Sequence, residues 1–416
     1  MLSVAEASRE ILSHIVRLDS ERVALPDALG RVLAVDVSSP VTLPAWDNSA
    51  MDGYAVRSVD VARAAADAPI VLRVIETVPA GGFPTVAVRE GEATRIMTGA
   101  PMPAGADTVI RIEDTDGGAE RVAIRLSRDA GRNVRPQGED IRAGAIVLGA
   151  GQTIGPAQIG VLASVGAARV DVIRRPRVAI LGSGDELVDL DLFDEVLAGR
   201  KIVSSNTYAL DALVRDSSAL PINLGIARDT PDALRERLAR AAGCDLILTT
   251  AGLSVGEHDY LRPVLEEMGV EMKFWRVRMR PGAPLGFGIL NGTPWLGLPG
   301  NPVSTMVTYV LFAQPAIRRM LGHARLFRRP VDVSLEESVT INARLTHFLR
   351  SIVTTHTDGT LTARLTGPQG SGIVTSMSLA NALLVVPEDR TRVEPGEHLH
   401  ALPLTDDATL TTHFAL

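Results

Sequence analysis

The strongest constraint on the fold is the alternation of short apolar runs with helix-like segments between residues 174 and 325. Residues 178–181, 221–224 and 245–249 have the length and composition of buried strands, and a helical pattern follows each of them. Strands that alternate with helices predict a parallel sheet covered on both faces. Ligands of such sheets bind beyond the carboxyl ends of the strands. The loops to inspect are therefore residues 182–187, 250–260 and 297–302.

The remainder of the chain is rich in short strand-like runs separated by Gly, Pro and Asp. In the first half these runs lie at residues 71–74, 93–97, 108–112 and 122–126. A chain of 416 residues is too long for one hydrophobic core and suggests several domains. We predict four parts: a linking domain built from residues 1–43 and 139–173, an inserted β-rich domain over 44–138, an α/β domain over 174–325, and a C-terminal β domain over 326–416.

The charge balance and the single cysteine exclude several classes of protein. There are 49 acidic and 42 basic residues, for a net charge of −7, which argues against nucleic acid as a partner. No apolar run approaches the ~18–20 residues of a membrane span, and the first residues do not resemble a signal peptide. Cys244 is the only cysteine, so an intrachain disulfide is impossible. We expect a cytoplasmic protein without a membrane partner.

The segment 44–56 concentrates polar side chains on a stretch with neither helical nor strand periodicity. It contains Asp47, Asn48, Ser49, Asp52 and Gly53. These residue types are typical of a capped turn, in which side chains bond to the local backbone. They are equally suited to a functional loop in a cleft. The residue types alone favour the turn.

The three loops of the α/β region differ in how strongly they indicate a ligand. Residues 182–186 lack the third glycine of a dinucleotide fingerprint, so a plain turn is the simpler interpretation. Residues 249–260 offer glycines and hydroxyls before a helix, which is a typical anion site. Asp259 suits a helix cap and a magnesium ligand equally well. Proline is typical of the first turn of a helix, so Pro302 predicts a helix that begins there.

Several motifs occur in one order along nearly the whole chain, and together they resemble the molybdopterin molybdenumtransferase, or molybdenum insertase, family that includes the E domain of gephyrin. The motifs are residues 44–56, 95–101, 138–140, 182–187, 249–260, 298–302 and 376–382.

The resemblance implies a three-layer α/β sheet domain of the molybdopterin-binding type, an elongated domain with an inserted β domain, and a small C-terminal β-barrel. It implies that molybdate is inserted into adenylylated molybdopterin, with Mg²⁺-dependent release of AMP. It also implies a homodimer with shared active sites, and a molybdopterin adenylyltransferase as a further partner.

By position in the motifs, the resemblance assigns roles to single residues. The residues matched to catalysis are Asp52, Asp140, Glu186 and Asp259, of which Glu186 and Asp259 would also hold the metal. The residues matched to substrate binding are Asn48, Ser49, Thr98, Ser183, Gly184, Gly252, Ser254, Arg280, Pro284, Pro299, Gly300, Pro302, Ser304, Arg350 and Ser376.

Departures from the family pattern leave open which oxyanion this chain would insert. Family members commonly carry lysines where this chain has Arg280 and Ala283, and a glycine where it has Ala251. Strand alternation would place Arg276, Arg278 and Arg280 on one face, where they could compensate. Two alternatives therefore remain: a related protein that inserts another oxyanion such as tungstate, and a non-catalytic dimeric scaffold.

Overall fold

The α/β domain is built on a six-stranded mixed sheet. The structure is a computed structural model that describes residues 1–252, 260–341 and 344–405. In spatial order the strands are Leu220–Ala227, Arg177–Ser183, Leu246–Thr250, Thr293–Leu298, Pro284–Leu290 and Val270–Arg276. The first four strands pair in parallel, and the last two pairings are antiparallel.

Helices cover both faces of this sheet because its strands are apolar on both sides. Val178 and Ile180 lie in one hydrophobic core, while Ala179 and Leu181 lie in the core on the opposite face. The flanking helices are Ser205–Asp216, Pro231–Ala239, Leu261–Glu267 and the helix that begins at Pro302. The prediction of a three-layer α/β domain is confirmed.

The expectation that the sheet is purely parallel is wrong at one edge. A tight hairpin joins Pro284–Leu290 to Thr293–Leu298, with Asn291 at φ 49° and Gly292 at φ 84°. Two consecutive positive φ angles are typical of the type I′ turn, for which Asn-Gly is a favoured sequence. The Asn-Gly pair was the sequence signal for an antiparallel strand.

The last helix of the domain changes its hydrogen-bond pattern in the middle. Pro302–Thr308 is α-helical, Tyr309–Ala313 forms a π-helical turn, and Gln314–Met320 is α-helical again. Pro315 has no N–H and its ring would clash with the carbonyl four residues earlier in a regular helix. The wider turn just before Pro315 accommodates this residue without ending the helix.

Residues on either side of the inserted domain pair with one another. Ser20–Ala24 is antiparallel to Arg169–Ile173, and Val37–Ser38 is antiparallel to Ile146–Leu148. The linking region also contains the 3₁₀ turn Leu25–Ala28 and the helix Pro156–Ser164.

The inserted domain is a five-stranded sheet. In spatial order its strands are Thr108–Arg111, Gly53–Val56, Glu92–Ile96, Ile70–Val78 and Arg121–Ile124. A separate pair joins Asn48–Ser49 to Val134–Arg135, and two short helical segments are Ser58–Val61 and Ile112–Asp114. Each of the four strand-like runs predicted in this region overlaps a strand, although three of them extend one or two residues past its end.

The N-terminal helix Val4–Ser13 packs against the α/β domain. Its start is a capping box, in which Glu6 N–H donates to the Ser3 hydroxyl and Ser3 N–H donates to the Glu6 carboxylate. Ala7 and Ile11 lie in the same core as the sheet residues Val178 and Ile180. The exact domain boundaries stay predictions.

The C-terminal domain is a closed five-stranded barrel, which confirms the predicted β-barrel. Around the barrel the strands are Thr346–Thr355, Leu361–Leu365, Val331–Leu335, His398–Pro403 and Ala382–Val386, and the last pairs with the first. The helix Thr375–Leu379 and the pair Val339–Thr340 with Arg392–Val393 complete it.

A two-residue strand joins the α/β domain to the barrel. Met279–Arg280 leaves the large sheet and pairs in parallel with Thr346 and His347 of the barrel. Elsewhere in the α/β domain, a short segment pairs Leu187–Val188 with Ile202–Val203 and contains the helical turns Leu190–Leu192 and Phe193–Leu197.

Within the described ranges, no helix combines the length and apolar character that a membrane span needs.

We predict that Tyr309→Phe lowers the free energy of unfolding by about 1–3 kcal/mol, because the buried Leu213 carbonyl and the Ser217 hydroxyl lose a hydrogen-bond partner. The Tyr309 hydroxyl donates to the Leu213 carbonyl and contacts the Ser217 hydroxyl, both at 2.9 Å, and burial raises the pKa of this phenol. Guanidinium unfolding followed by circular dichroism measures the change.

The matched control is Tyr208→Phe, since Tyr208 is 45% exposed and its hydroxyl contacts the exposed Asp189. We expect the control to change stability by less than about 0.5 kcal/mol. Equal losses in the two variants would contradict a specific role for the buried hydroxyl.

Candidate functional site

A cavity of about 1150 Å³ lies between the carboxyl edge of the large sheet and the C-terminal barrel. Loops after three adjacent parallel strands supply one wall, as expected for this kind of sheet. The predicted site residues that line it are Glu186, Gly252, Arg280, Pro284, Pro299, Gly300, Pro302, Ser304 and Arg350. The structure therefore brings together most of the predicted residues of the α/β domain, although they come from separate loops.

Glu186 stands at the cavity on the loop that follows Arg177–Ser183. Gly184 has φ 150°, which favours a glycine, and an added Cβ would lie 2.7 Å from the Glu186 carboxylate oxygens. Gly182 similarly gives room to Thr207, which would lie 3.0 Å from an added Cβ. Ser183 is buried at the strand end and does not line the cavity. The glycines thus allow the Glu186 side chain to lie against the backbone.

Hydrogen bonds from polar side chains connect the other two loops, which follow the strands Leu246–Thr250 and Thr293–Leu298. Asn206 Nδ2 donates to the Gly300 carbonyl at 2.7 Å and to the Thr250 hydroxyl at 3.0 Å. Thr305 Oγ1 donates to the Pro299 carbonyl at 2.5 Å. These bonds fix the backbone on which Pro299 and Gly300 face the cavity.

Ala251 has a left-handed backbone conformation next to the cavity. Its φ is +74°, which costs an alanine more free energy than a glycine. An added Cβ on Gly300 would lie 3.2 Å from the Ala251 methyl group. The methyl group therefore lies at the point where the two loops meet. Ser254 and Asp259, predicted for the same loop, lie outside the described residues.

The barrel supplies the opposite wall through a buried arginine. Arg350 is 1% exposed, its Nε donates to the Ser376 hydroxyl at 3.0 Å, and its Nη2 donates to the Gly370 carbonyl at 3.0 Å. Ser376 does not line the cavity itself but orients the guanidinium from behind. Asn301 Nδ2 donates to the Ser371 hydroxyl at 3.0 Å, which joins the two walls.

The electrostatics of the cavity favour an anion. Burial lowers the pKa of the Arg350 guanidinium below its ordinary value, and no acidic side chain within the described ranges pairs with it. The other titratable side chains on the lining are Glu186, Arg280 and His347. A buried cation without a carboxylate partner is costly unless an anion or other acceptor offsets it.

Arg276, Arg278 and Arg280 alternate with the buried residues Val277 and Met279, but they do not all reach the cavity. Only Arg280 lines the cavity. Arg278 donates to the Met1 carbonyl at 3.2 Å and lies 3.4 Å from the Glu388 carboxylate. The strand Val270–Arg276 ends before Arg278, and Met279–Arg280 pairs with the barrel, so the alternating residues do not all belong to one sheet.

The predicted residues of the inserted domain lie away from this cavity. Asp52 accepts hydrogen bonds from the Thr98 N–H and hydroxyl, both at 2.7 Å, and these bonds hold the pKa of Asp52 below its usual range. Both residues are exposed. Asn48 and Ser49 are buried, and the Ser49 hydroxyl donates to the Met51 carbonyl, as in a capped turn. The turn interpretation therefore accounts for Ser49.

Asp140 is also separate from the main cavity. It is exposed and lines a second cavity of about 550 Å³ together with Gly138, Glu139 and Arg142. The four predicted catalytic carboxylates are thus not gathered within one site by a single chain, as far as the described residues go.

Sequence reasoning missed several polar residues of the main cavity. These are Asn206, Thr250, Asn301, His347, Gln369 and Ser371. Asn206, Thr250 and Asn301 could have been found, since they stand in or next to the loops and helix starts at the strand ends. The three barrel residues had no comparable signal, because their approach depends on how two domains pack.

The described residues suit a magnesium ion that is held mainly by water and substrate, and not one that is enclosed by protein side chains. They contain no group of three or more His, Cys, Asp or Glu side chains that could enclose a metal. Mg²⁺ in proteins usually keeps several waters and is held by one or two carboxylates and by substrate phosphates. Glu186 has no ion pair or hydrogen bond to its carboxylate within the described ranges, so it is available for this mode.

Comparisons with known proteins cover almost the whole chain. Residues 2–166 match the MoeA N-terminal region (domain I and II), residues 179–319 a probable molybdopterin binding domain, and residues 332–404 the MoeA C-terminal region (domain IV). A molybdopterin molybdenumtransferase of a Nostoc species is 38% identical over 421 residues, or 97% of this chain and 94% of that protein. Molybdopterin molybdenumtransferase 2 of Mycobacterium tuberculosis is 37% identical over 413 residues, covering 97% and 100%.

A solved structure has the same architecture. The molybdopterin biosynthesis moeA protein of Pyrococcus horikoshii superposes with a TM-score of 0.84 at 29% identity, covering 97% of this chain and 100% of that one. The three matched regions, taken together, and the superposition each extend over nearly all of the chain. The chain therefore belongs to the molybdopterin molybdenumtransferase family of enzymes, which act in molybdenum cofactor biosynthesis.

Proposed function

We propose that this enzyme inserts molybdate into adenylylated molybdopterin and releases AMP, and that the reaction takes place in the cavity between the large sheet and the barrel. The observation that carries the proposal is Arg350, a buried cation that faces a large cavity without an acidic partner among the described residues. A tetrahedral oxyanion would supply the missing negative charge, and arginine binds such anions through several N–H groups at once.

The opposite wall suits the nucleotide and pterin parts of the substrate. Glycines 252 and 300 allow a ligand to approach the backbone closely, and Arg280 offers a cation on the same lining. Ser304 adds a hydroxyl at the start of the helix Pro302–Thr308. These groups bind and orient the substrate so that its phosphoanhydride lies near the oxyanion.

Glu186 would hold Mg²⁺ together with substrate phosphates. The ion, when bound, stabilises the negative charge that develops on the phosphate oxygens as the bond to AMP breaks. The chain itself contributes the carboxylate and keeps it free of ion pairs within the described residues. Asp259 stays a predicted second ligand.

Two alternatives are distinguished by the same assay. Tungstate has the same charge and shape as molybdate, and Ala283 in place of the family's lysine leaves the choice of oxyanion open. A non-catalytic scaffold has no need of an unpaired carboxylate and a buried arginine in one cavity. Incubation with adenylylated molybdopterin and Mg²⁺, with molybdate or tungstate, followed by measurement of AMP, separates the three. AMP release with tungstate alone supports the related inserter, and no AMP with either anion supports the scaffold.

We predict that Glu186→Ala lowers Mg²⁺-dependent AMP release by roughly 100-fold, the effect of losing about 2.7 kcal/mol of charge stabilisation. The fold should be retained because the side chain is exposed at the cavity. The measurement is AMP formed at several Mg²⁺ concentrations, with circular dichroism as a check of folding.

Asp185→Ala is the matched control, since Asp185 is the neighbouring carboxylate but does not line the cavity and is 3.9 Å from Arg228. We expect near-normal turnover from it. Near-normal turnover from Glu186→Ala would remove Glu186 from the proposed site.

We also propose a homodimer in which one protomer's inserted domain completes the site of its partner. Asp52 and Thr98 do not line the cavity of their own chain. In the same part of the chain, Trp46, Met51 and Phe83 are 41%, 38% and 60% exposed, and the rings of Trp46 and Phe83 meet edge to face at 4.9 Å. Exposed apolar side chains grouped in this way are typical of a surface that contacts protein.

This arrangement predicts complementation between inactive variants. A mixture of Asp52→Ala and Glu186→Ala protomers should recover about a quarter of wild-type activity, since half of randomly formed dimers are mixed and each has one intact site. The measurement is AMP release after the two variants are unfolded and refolded together, with each variant refolded alone as the control. Absence of recovery in a mixture that refolds to dimers would contradict a shared site. A molybdopterin adenylyltransferase partner and a cytoplasmic location stay predictions.

We predict that Ala283→Lys lowers the molybdate concentration needed for half-maximal insertion by roughly tenfold to a hundredfold. Ala283 lines the cavity, and a charge-assisted contact contributes about 1.5–3 kcal/mol. Arg278 is engaged by Glu388 and the Met1 carbonyl, so it does not fill this role.

The control is Ala283→Met, which has a similar length but no charge. Insertion rates measured against molybdate concentration for wild type and both variants decide the outcome. A lysine variant with an unchanged molybdate dependence would place residue 283 outside the oxyanion site.

A further inference from the structure

Asn206 is a side-chain amide of the cavity lining whose orientation is fixed by the protein. It lies in the first turn of the helix Ser205–Asp216 and faces the cavity at the carboxyl edge of the large sheet. Its Nδ2 donates to the Gly300 carbonyl at 2.7 Å and to the Thr250 hydroxyl at 3.0 Å. The carbonyl of Gly300 has no proton to give, so the amide nitrogen, and not the amide oxygen, must face it.

These two hydrogen bonds use both protons of the amide. Thr250 accepts the second proton because its own hydroxyl donates to the Pro299 carbonyl at 3.2 Å. The Thr305 hydroxyl donates to the same carbonyl, and the side chains of Thr250 and Thr305 are both buried. The Asn206 amide therefore has no donor left for a ligand, and what remains is Oδ1, which can only accept a hydrogen bond.

The backbone that carries Asn206 is also held in place. The Ser204 N–H donates to the Val188 carbonyl at 2.9 Å, and the Thr207 hydroxyl donates to the Ser204 carbonyl at 2.7 Å. Ser204 and Thr207 are buried against the end of the strand Arg177–Ser183, where both side chains lie within 3.2 Å of the position of a Cβ added to Gly182. Because the backbone and the amide plane are both fixed, Oδ1 keeps one direction before any ligand binds.

A second amide on the lining shows the contrast with a structural role. Gln369 Nε2 donates to the Arg350 and Gly367 carbonyls at 3.1 and 3.0 Å, and Gln369 Oε1 accepts the Arg350 N–H at 2.9 Å. Both ends of this amide are used within the protein. Within the described ranges no residue donates to Asn206 Oδ1, so this oxygen is available to a ligand in the cavity.

The chemistry of Oδ1 decides which kind of group it can bind. Ionised phosphates and oxyanions are acceptors themselves, so an amide oxygen does not attract them. The lining residues beside Asn206 or beside its two partners in the chain include Val203, Ala251 and Pro299, which are uncharged. An uncharged surface with one fixed acceptor suits a flat heterocycle that carries an amino group.

We propose that Asn206 Oδ1 accepts a hydrogen bond from the amino group of a heterocycle and so contributes to the choice of substrate. The inference rests on the proposed function in that the substrate contains two such groups, the amino group of adenine and that of the pterin. Both are N–H donors on a planar ring, and Asn206 binds one of them. A site that is built to accept from an N–H rejects an analogue without it, because the acceptor is then left unpaired.

The test is calorimetric titration of the protein alone with two pairs of ligands. The adenine pair is AMP and purine riboside 5′-monophosphate, which lacks the amino group. The pterin pair is pterin and lumazine, in which an oxo group replaces the amino group. For wild type we expect the amino ligand of one pair to bind roughly threefold to tenfold more tightly than its partner, the effect of one net hydrogen bond. For Asn206→Ala we expect this preference to disappear.

The preference within a pair distinguishes recognition of the ligand from support of the loops. If Asn206 only held Gly300 and Thr250 in place, Asn206→Ala would weaken both ligands of a pair equally and retain the preference. Thr250→Val removes one supporting bond but keeps Oδ1, so it should weaken both ligands and retain the preference. Asn223→Ala is the remote control, since Asn223 is exposed on the edge strand Leu220–Ala227 and does not line the cavity. It should bind the ligands like wild type.

The outcomes identify the ring that Asn206 contacts. Loss of the preference for AMP in Asn206→Ala assigns Oδ1 to adenine, and loss of the preference for pterin assigns it to the pterin. Wild type that binds neither amino ligand, or that shows no preference within either pair, overturns the inference, as does a preference that Asn206→Ala retains. Because these titrations need no turnover, a preference that depends on Asn206 without AMP release in the molybdate assay would contradict the proposed reaction alone.

Discussion

The two-residue strand pairing between Met279–Arg280 and Thr346–His347 is the constraint on which the functional cavity depends. It attaches the barrel to the edge of the large sheet, so that the barrel covers the loops at the carboxyl ends of the strands. The hydrogen bond from Asn301 to Ser371, and the one from the Val303 N–H to the Ser371 carbonyl at 3.1 Å, hold the second side of the junction. Without this attachment the sheet edge would be an open surface rather than a cavity.

The junction also determines the charge inside the cavity. Arg350 is buried and donates to the Gly370 carbonyl of the barrel, and burial makes its positive charge costly unless a bound anion or another acceptor offsets it. The opposite wall carries Glu186, which is exposed and unpaired among the described residues. A buried cation on one wall and a free carboxylate on the other suit a reaction that joins an oxyanion to a phosphorylated substrate with a metal ion.

The sequence predicted the type and position of most elements because their periodicity is local. The apolar runs at residues 178–181 and 245–249 became the strands Arg177–Ser183 and Leu246–Thr250, and the loops after them line the cavity. The sequence did not indicate where the chain passes from one sheet to another. The arginines at 276, 278 and 280 appear to continue one strand in the sequence, yet the strand ends at Arg276 and Arg280 belongs to another pairing.

The sequence by itself determined the strand and helix segments, the glycine-rich loops at the strand ends and the ordered motifs, because these depend on neighbouring residues. Only the tertiary structure decided which of the motif residues meet. Glu186 and Arg350 share a cavity although they lie in different domains, whereas Asp52 and Asp140 do not reach it. The register that sets Arg280 beside His347 is likewise fixed by packing between distant segments, and no local pattern in the sequence specifies such a contact.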